Sequence, residues 1–168
     1  LPREGRFLLS TVALQHLGRG MTLPFTVIYL HEVRGFSLDT AGSIMALLAL
    51  VAALAAAPLG ALTDRLGARW MLIVAGVCQS LGAVALAFAT SLPIAIVGAV
   101  LMGLSQSIGW SASNTFISAL VRGPLRQRYF GVNFALLNLG IGVGGLIAGA
   151  FVDVARPVTF EAIFLLDA

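Results

Sequence analysis

Long, nearly uncharged apolar runs divided by short polar connectors constrain this chain more than any single residue does. The runs cover about residues 7–30, 41–62, 70–89, 93–121 and 129–152, and a sixth opens near 158 and stops, truncated, at 168. A helix needs about 20 mostly apolar residues to cross the hydrocarbon of a bilayer. A soluble domain of this size has no interior large enough to hide so many such runs. Hydrophobic residues make up 59% of the chain and charged residues 10%, against roughly 45–50% and about 25% in soluble domains. The runs are also too long and too continuous for membrane barrel strands, which alternate over about ten residues. Helices remain as the spanning solution, because a backbone in lipid must satisfy its own hydrogen bonds. The expectation is an all-α membrane protein with a sixth helix that is incomplete.

The connectors set an orientation. Positive residues in short loops are retained on the cytoplasmic side, and all ten basic residues here are arginines. Along an up-and-down path Arg3, Arg6, Arg65, Arg69, Arg122, Arg126 and Arg128 fall on one side, and Arg34 and Arg156 on the other. That places the N-terminus and both strongly charged connectors in the cytoplasm, and the protein in the cell membrane. Arg19 belongs to neither side. The arginines form no aromatic-laced basic patch, which argues against nucleic-acid binding. Cys78 stands alone within an apolar run, without disulfide or metal spacing. The chain starts at Leu1, with no signal-peptide cleavage pattern before the first run, and reads as a fragment. There is no paired-carboxylate, Ser/His or metal constellation and no nucleotide-cradling loop, so neither an enzyme nor a cofactor is expected.

The charged connector between the second and third runs reads Gly60-Ala61-Leu62-Thr63-Asp64-Arg65-Leu66-Gly67-Ala68-Arg69. This stretch resembles the signature loop of the major facilitator superfamily, roughly G-x-L-[AT]-D-[RK]-x-G-[RK]-[RK], with Ala68 where a second basic residue is usual. Pro124-Leu125-Arg126-Gln127-Arg128 looks like the family's P-x-x-R-x-R connector. In the fifth run the order Gly131, Gly140, Gly144, Gly145, Ala148, Gly149 is similar to its antiporter signature, with Gly145 in place of the proline and Ala148 in place of a glycine. Gly103 sits where another family motif has its glycine, but Ala99 holds that motif's arginine position. The resemblance implies a twelve-helix transporter of two six-helix halves, of which this chain is the N-terminal half. It also implies that Gly60, Asp64, Arg65, Gly67 and Arg69 form a conformational switch, joined by Gly140 and Gly144 where helices pack closely. Independently, glycines at 60 and 67 suit a tight turn. Asp64 is expected near the start of the following helical turn, where free amides favour an acid.

Polar residues inside the runs mark where a solute could bind. Arg19 is the costliest, at about 2.5–3.5 kcal/mol on insertion scales at mid-membrane. Gln15, Arg19, Thr22 and Thr26 share one helical face, with His16 at its edge. Two roles are open to Arg19, a solute contact or a structural pair with an acid elsewhere in the protein. Gln106, Trp110, Ser113 and Asn114 repeat the pattern in the fourth run, and Asn133 and Asn138 follow in the fifth. Trp110 offers an aromatic face or serves as a packing residue. Gln79 reads as a packing hydrogen bond. Asp167 and His16 are the candidates for proton coupling, since no other acid is evident within the first five runs. The functional expectation is an ion-coupled secondary transporter for efflux or exchange of a small organic solute or drug. Its partners would be the lipid bilayer, the solute and a C-terminal six-helix half. A non-transporting receptor or assembly subunit with the same fold is the alternative.

Overall fold

A computed structural model describes residues 3–120 and 124–167; Arg122 of the second charged connector and Ala168 of the last run lie outside them. The described residues are helical almost throughout. In chain order the elements are α1 (Arg3–Thr22), α2 (Thr26–Ile28) followed by a π-helical turn (Tyr29–Val33), α3 (Leu38–Leu66), α4 (Ala68–Ala87), α5 (Leu92–Leu120), α6 (Pro124–Phe151) and α7 (Pro157–Asp167). Four of them contain segments long and apolar enough to cross a membrane by length and composition: Leu38–Leu66, Ala68–Ala87, Leu92–Thr115 and Arg126–Phe151.

The first expected span is a broken helix. Pro24 has no N–H and cannot close the helical bond to the carbonyl four residues back, and α1 stops at Thr22. Around the break the chain tightens: Phe25 N–H donates to the Thr22 carbonyl at 3.1 Å, and the same carbonyl accepts from Thr26 Oγ1 at 2.8 Å. The path then reverses at Gly35, with φ of 73°, and α3 starts on Ser37, whose Oγ accepts from the Thr40 N–H at 3.2 Å. Serine is a favoured cap for this reason.

The turn between α3 and α4 is shorter than the sequence suggests. Helix α3 runs through Asp64 and Arg65 to Leu66, and α4 starts at Ala68, so Gly67 alone reverses the chain. Its φ of 87° and ψ of 143° fall in a region that only glycine occupies cheaply. Gly67 N–H donates to the Thr63 carbonyl at 2.9 Å and its own carbonyl accepts from Met71 N–H at 3.3 Å, so one residue caps both helices. Asp64 therefore sits in the last turn of α3 and not in the first turn of the next helix. Nothing between Gly60 and Leu66 disfavours helix strongly enough to end it earlier.

Helix α5 packs on α3 and α4, α1 packs on α6, and α7 lies against α4 and α1. Small residues line these seams. Ala83, Ala87, Ala95, Ala99, Ala112 and Ala148 are fully buried, while Leu54, Trp70, Leu146 and Leu166 stand outward. Lipid tails are as apolar as leucine, so membrane helices associate by close approach at small residues. The α1–α6 seam is the tightest case. A Cβ on Gly20 would lie 2.6 Å from the Ile141 backbone, one on Gly140 would lie 2.8 Å from the His16 Cβ, and one on Gly144 would strike the Leu17 carbonyl.

Candidate functional site: a polar cavity at Arg19

Residues of α1, of the break after it, and of α3, α4 and α5 line a cavity of about 40 Å³. That is room for roughly three to four waters at about 10–15 Å³ each. Its polar wall is Arg19, Thr22, Thr26, Gln79 and Gln106; its apolar wall is Leu23, Met45, Leu48, Leu86 and Met102. Arg19 Nη2 donates to Gln106 Oε1, which ties α1 to α5 across the cavity.

Asp167 stands behind the cavity wall, on α7. Its Oδ2 accepts from Thr22 Oγ1 at 3.1 Å and from Gln79 Nε2 at 3.0 Å. The carboxylate rests on α1 where residue 18 is glycine: a Cβ there would lie 2.7 Å from Asp167 Oδ1. Asp167 does not line the cavity. Three helices thus meet around one acid, and the Arg19 charge lies close enough to interact with it.

Other candidate residues distribute differently. Of the α1 stripe, Arg19, Thr22 and Thr26 reach the cavity, while Gln15 points outward. His16 packs into the α1–α6 seam beside Gly140, and its buried Nδ1 has no partner among the described residues. Gln106 is on the cavity wall, but Trp110, one turn later, is 67% exposed and contributes nothing to it. Asn114 and Asn133 are half-buried and Asn138 is exposed; none of them lines the cavity. Asn138 Nδ2 instead donates to the Phe134 carbonyl one turn back, at 2.8 Å.

Gln79 does form the hydrogen bond expected of it, but that bond goes to Asp167 and the residue also lines the cavity. Its position in the sequence carried no sign of this, because helical phase within α4 does not say which neighbour each face meets. A second missed feature lies at the α2 end of the bundle. Arg34 Nε donates to Tyr29 Oη at 2.6 Å, and its Nη2 donates to the Ala87 carbonyl and to Glu161 Oε1, the latter at 3.0 Å. The Tyr29 hydroxyl also donates to Ala87 O, and its fully buried ring packs on Phe160 and Phe164 with centroids 5.5 and 5.0 Å away. This clasp joins the π-helical turn and the residue after it to α4 and α7.

At the opposite end Asp64, Arg65 and Arg69 are all exposed. The ion pairs among the described residues are His31–Glu32, Arg34–Glu161 and Arg156–Asp153, and include none of the three. Gly60 is helical, with only the Ser111 hydroxyl near, 3.6 Å from where a Cβ would sit.

Comparison with known proteins gives this architecture a lineage. Residues 8–168 match the Major Facilitator Superfamily. The chain is 23% identical over 144 residues to the uncharacterized MFS-type transporter YdeE of Escherichia coli (strain K12), covering 86% of this chain and 36% of that protein. It is 29% identical over 143 residues to the uncharacterized MFS-type transporter YqjV of Bacillus subtilis (strain 168), covering 85% and 35%. It is 29% identical over 162 residues to the class C tetracycline resistance protein of Escherichia coli, covering 95% and 41%. The chain thus spans between 35% and 41% of the length of these relatives. Apolar helices seamed by small residues, a single-glycine reversal at Gly67 and a match from residue 8 to residue 168 lead to one conclusion: the chain belongs to the Major Facilitator Superfamily.

Proposed function

We propose that the chain is the N-terminal six-helix half of a secondary active transporter that works by alternating access, in ion-coupled efflux or exchange of a small organic solute or drug. The observation that carries this reading is the cavity itself. It is a water-sized space with a mostly apolar lining into which a few polar groups project, among them an arginine that is costly to hold within an apolar run. A carrier needs a site of this kind near mid-membrane, reachable in turn from each face. Solute and cavity exchange no covalent bonds in this reading, so the protein is a carrier and not an enzyme. Kinship with a tetracycline resistance protein and with MFS-type transporters supports a small-molecule cargo.

In the same proposal Asp64, Arg65 and Arg69, with Gly60 inside α3 and Gly67 at the turn, serve as the cytoplasmic switch. Their exposure and lack of ion-pair partners among the described residues leave them available to a second half of the protein. Gly140 and Gly144 supply the close α1–α6 contact that must move as a unit. Asp167 on α7 and His16 on α1 are the proposed proton-linked groups. The N-terminus lies in the cytoplasm and the protein in the cell membrane, as the arginine distribution favours.

Reconstituted in liposomes, the full-length protein is expected to move a solute in response to a proton or sodium gradient. Arg19→Gln should abolish that flux at unchanged expression. Absence of flux across a broad solute panel, with no ligand-induced thermal shift, sinks the carrier reading; a stable protein partner recovered in its place would make the chain part of a receptor or assembly.

A further inference from the structure

A guanidinium carries five N–H donors in a planar fork and keeps its charge under all ordinary conditions. In Arg19, Gln106 Oε1 is the acceptor on the cavity wall, and none of the ion pairs among the described residues includes Arg19. The acid that acts on Arg19 electrostatically, Asp167, is engaged elsewhere: both hydrogen bonds to its Oδ2 come from Thr22 and Gln79, and its Oδ1 lies against Gly18. The cavity therefore presents a positive group with most of its donors unfilled, while the compensating negative group stands behind the wall. Donors left open on the cavity side can be taken up by an incoming oxyanion, in charge-assisted hydrogen bonds stronger than neutral ones. The ionisable groups around this pair do not supply one. His16 on α1 is turned into the α6 seam, Cys78 neighbours Gln79 on α4, Glu161 on α7 is held by Arg34, and α3, α5 and α6 bring no charged side chain to the cavity.

We propose that the cavity is a subsite for the oxyanion group of a small organic monoanion, a carboxylate or sulfonate, seated on the free edge of the Arg19 fork. The inference rests on the carrier reading above and names the charge of the cargo, which that reading leaves open. Arg19 lies near the middle of the first apolar run, roughly 15 Å from either face at about 1.5 Å per residue, so a lipid headgroup does not reach it. The space admits the charged group alone, and the remainder of the solute extends out of this cavity. Asp167 tempers the site: it lowers the cost of holding Arg19 in the membrane and weakens the pull on an anion.

The test is equilibrium binding to detergent-solubilised full-length protein. The probes are benzenesulfonate, ionised at every usable pH, its cationic counterpart benzylamine and the neutral benzenesulfonamide. Benzenesulfonate should bind saturably and at least about tenfold more tightly than the other two, the scale of one charged hydrogen bond. Arg19→Gln should weaken it by about tenfold or more, and Arg19→Lys should keep part of the affinity because the charge stays while the fork is lost. Asp167→Asn should tighten it, a change that a purely structural acid would not produce. Preference for benzylamine, absence of saturable benzenesulfonate binding, or unchanged binding in a monodisperse Arg19→Gln variant overturns the proposal. Where Arg19→Gln fails to fold, the probe preference of the wild type and the direction of the Asp167→Asn shift still decide it. A protein that moves cationic or neutral solutes but ignores benzenesulfonate keeps the carrier function and loses the anion subsite. One that binds benzenesulfonate through Arg19 without flux does the reverse.

Discussion

The α1–α6 seam makes a sharp prediction, because two glycines on one helix face differ so much in their surroundings from a third on another. A methyl added at position 144 strikes the Leu17 carbonyl and lies 3.0 Å from the Met21 nitrogen; these are backbone atoms, which cannot swing aside as a side chain would. At position 140 the methyl meets the His16 Cβ at 2.8 Å and the His16 carbonyl carbon at 3.0 Å. Relief requires α1 and α6 to separate by close to an ångström at Gly144, and overpacking of this kind costs about 1–3 kcal/mol. Gly142, between them, has nothing within 4 Å of its Cβ position, so alanine there gains helix propensity of about 0.5–1 kcal/mol. Converted at about 2–4 °C per kcal/mol, Gly144→Ala should lower the melting temperature by roughly 2–12 °C, whereas Gly142→Ala should leave it unchanged or raise it slightly. The assay is thermal unfolding of the solubilised full-length protein, followed by loss of the monodisperse peak. The double variant Gly140→Ala/Gly144→Ala should cost less than the sum of its parts, since one separation of the helices relieves both clashes. A Gly144→Ala protein as stable as wild type, or a Gly142→Ala protein as damaged as Gly144→Ala, would refute the packing on which α1 and the cavity depend.

Further predictions concern the two ends of the bundle. Gly67→Ala should destabilise by about 1–3 kcal/mol, because its backbone conformation excludes a Cβ, while Gly60→Ala should be neutral or slightly stabilising; thermal melting of the pair separates them. Glu161→Ala should cost about 1–3 kcal/mol by leaving the half-buried Arg34 without its carboxylate. A double-mutant cycle with Arg34→Met should recover most of that loss, and additivity in the cycle would show that the clasp is not energetically coupled.

The helical membrane architecture was legible in the sequence because its cause is local: runs such as residues 41–62 leave the backbone no alternative to helix in lipid. Local chemistry also signalled Pro24 and Gly67, although not that Pro24 would break the first helix outright or that Gly67 would turn the chain alone. The site was legible only in part, for a geometric reason. Helical phase places Gln15, Arg19, Thr22 and Thr26 on one face, but it fixes neither which neighbour that face meets nor how the break after Thr22 reorients what precedes it. Gln15 and Trp110 consequently lie outside the cavity, and Gln79 within it. The Arg34–Glu161 clasp joins residues 127 positions apart, a pairing that composition and spacing cannot encode. Asp167 stood out as an acid in an apolar run, but its seat against Gly18, Thr22 and Gln79 emerges only from the packing of α7.

The central claim is that the Arg19 cavity opens to each face of the membrane in turn. Met45 lines that cavity from α3 without holding any of its polar contacts, so a Met45→Cys substitution in an otherwise cysteine-free full-length protein reports access with little disturbance. In oriented vesicles, a membrane-impermeant thiol reagent should label this position from either face, and an ion or solute gradient that increases labelling from one face should decrease it from the other. Labelling confined to one face, or equal from both and indifferent to any gradient, would contradict the account.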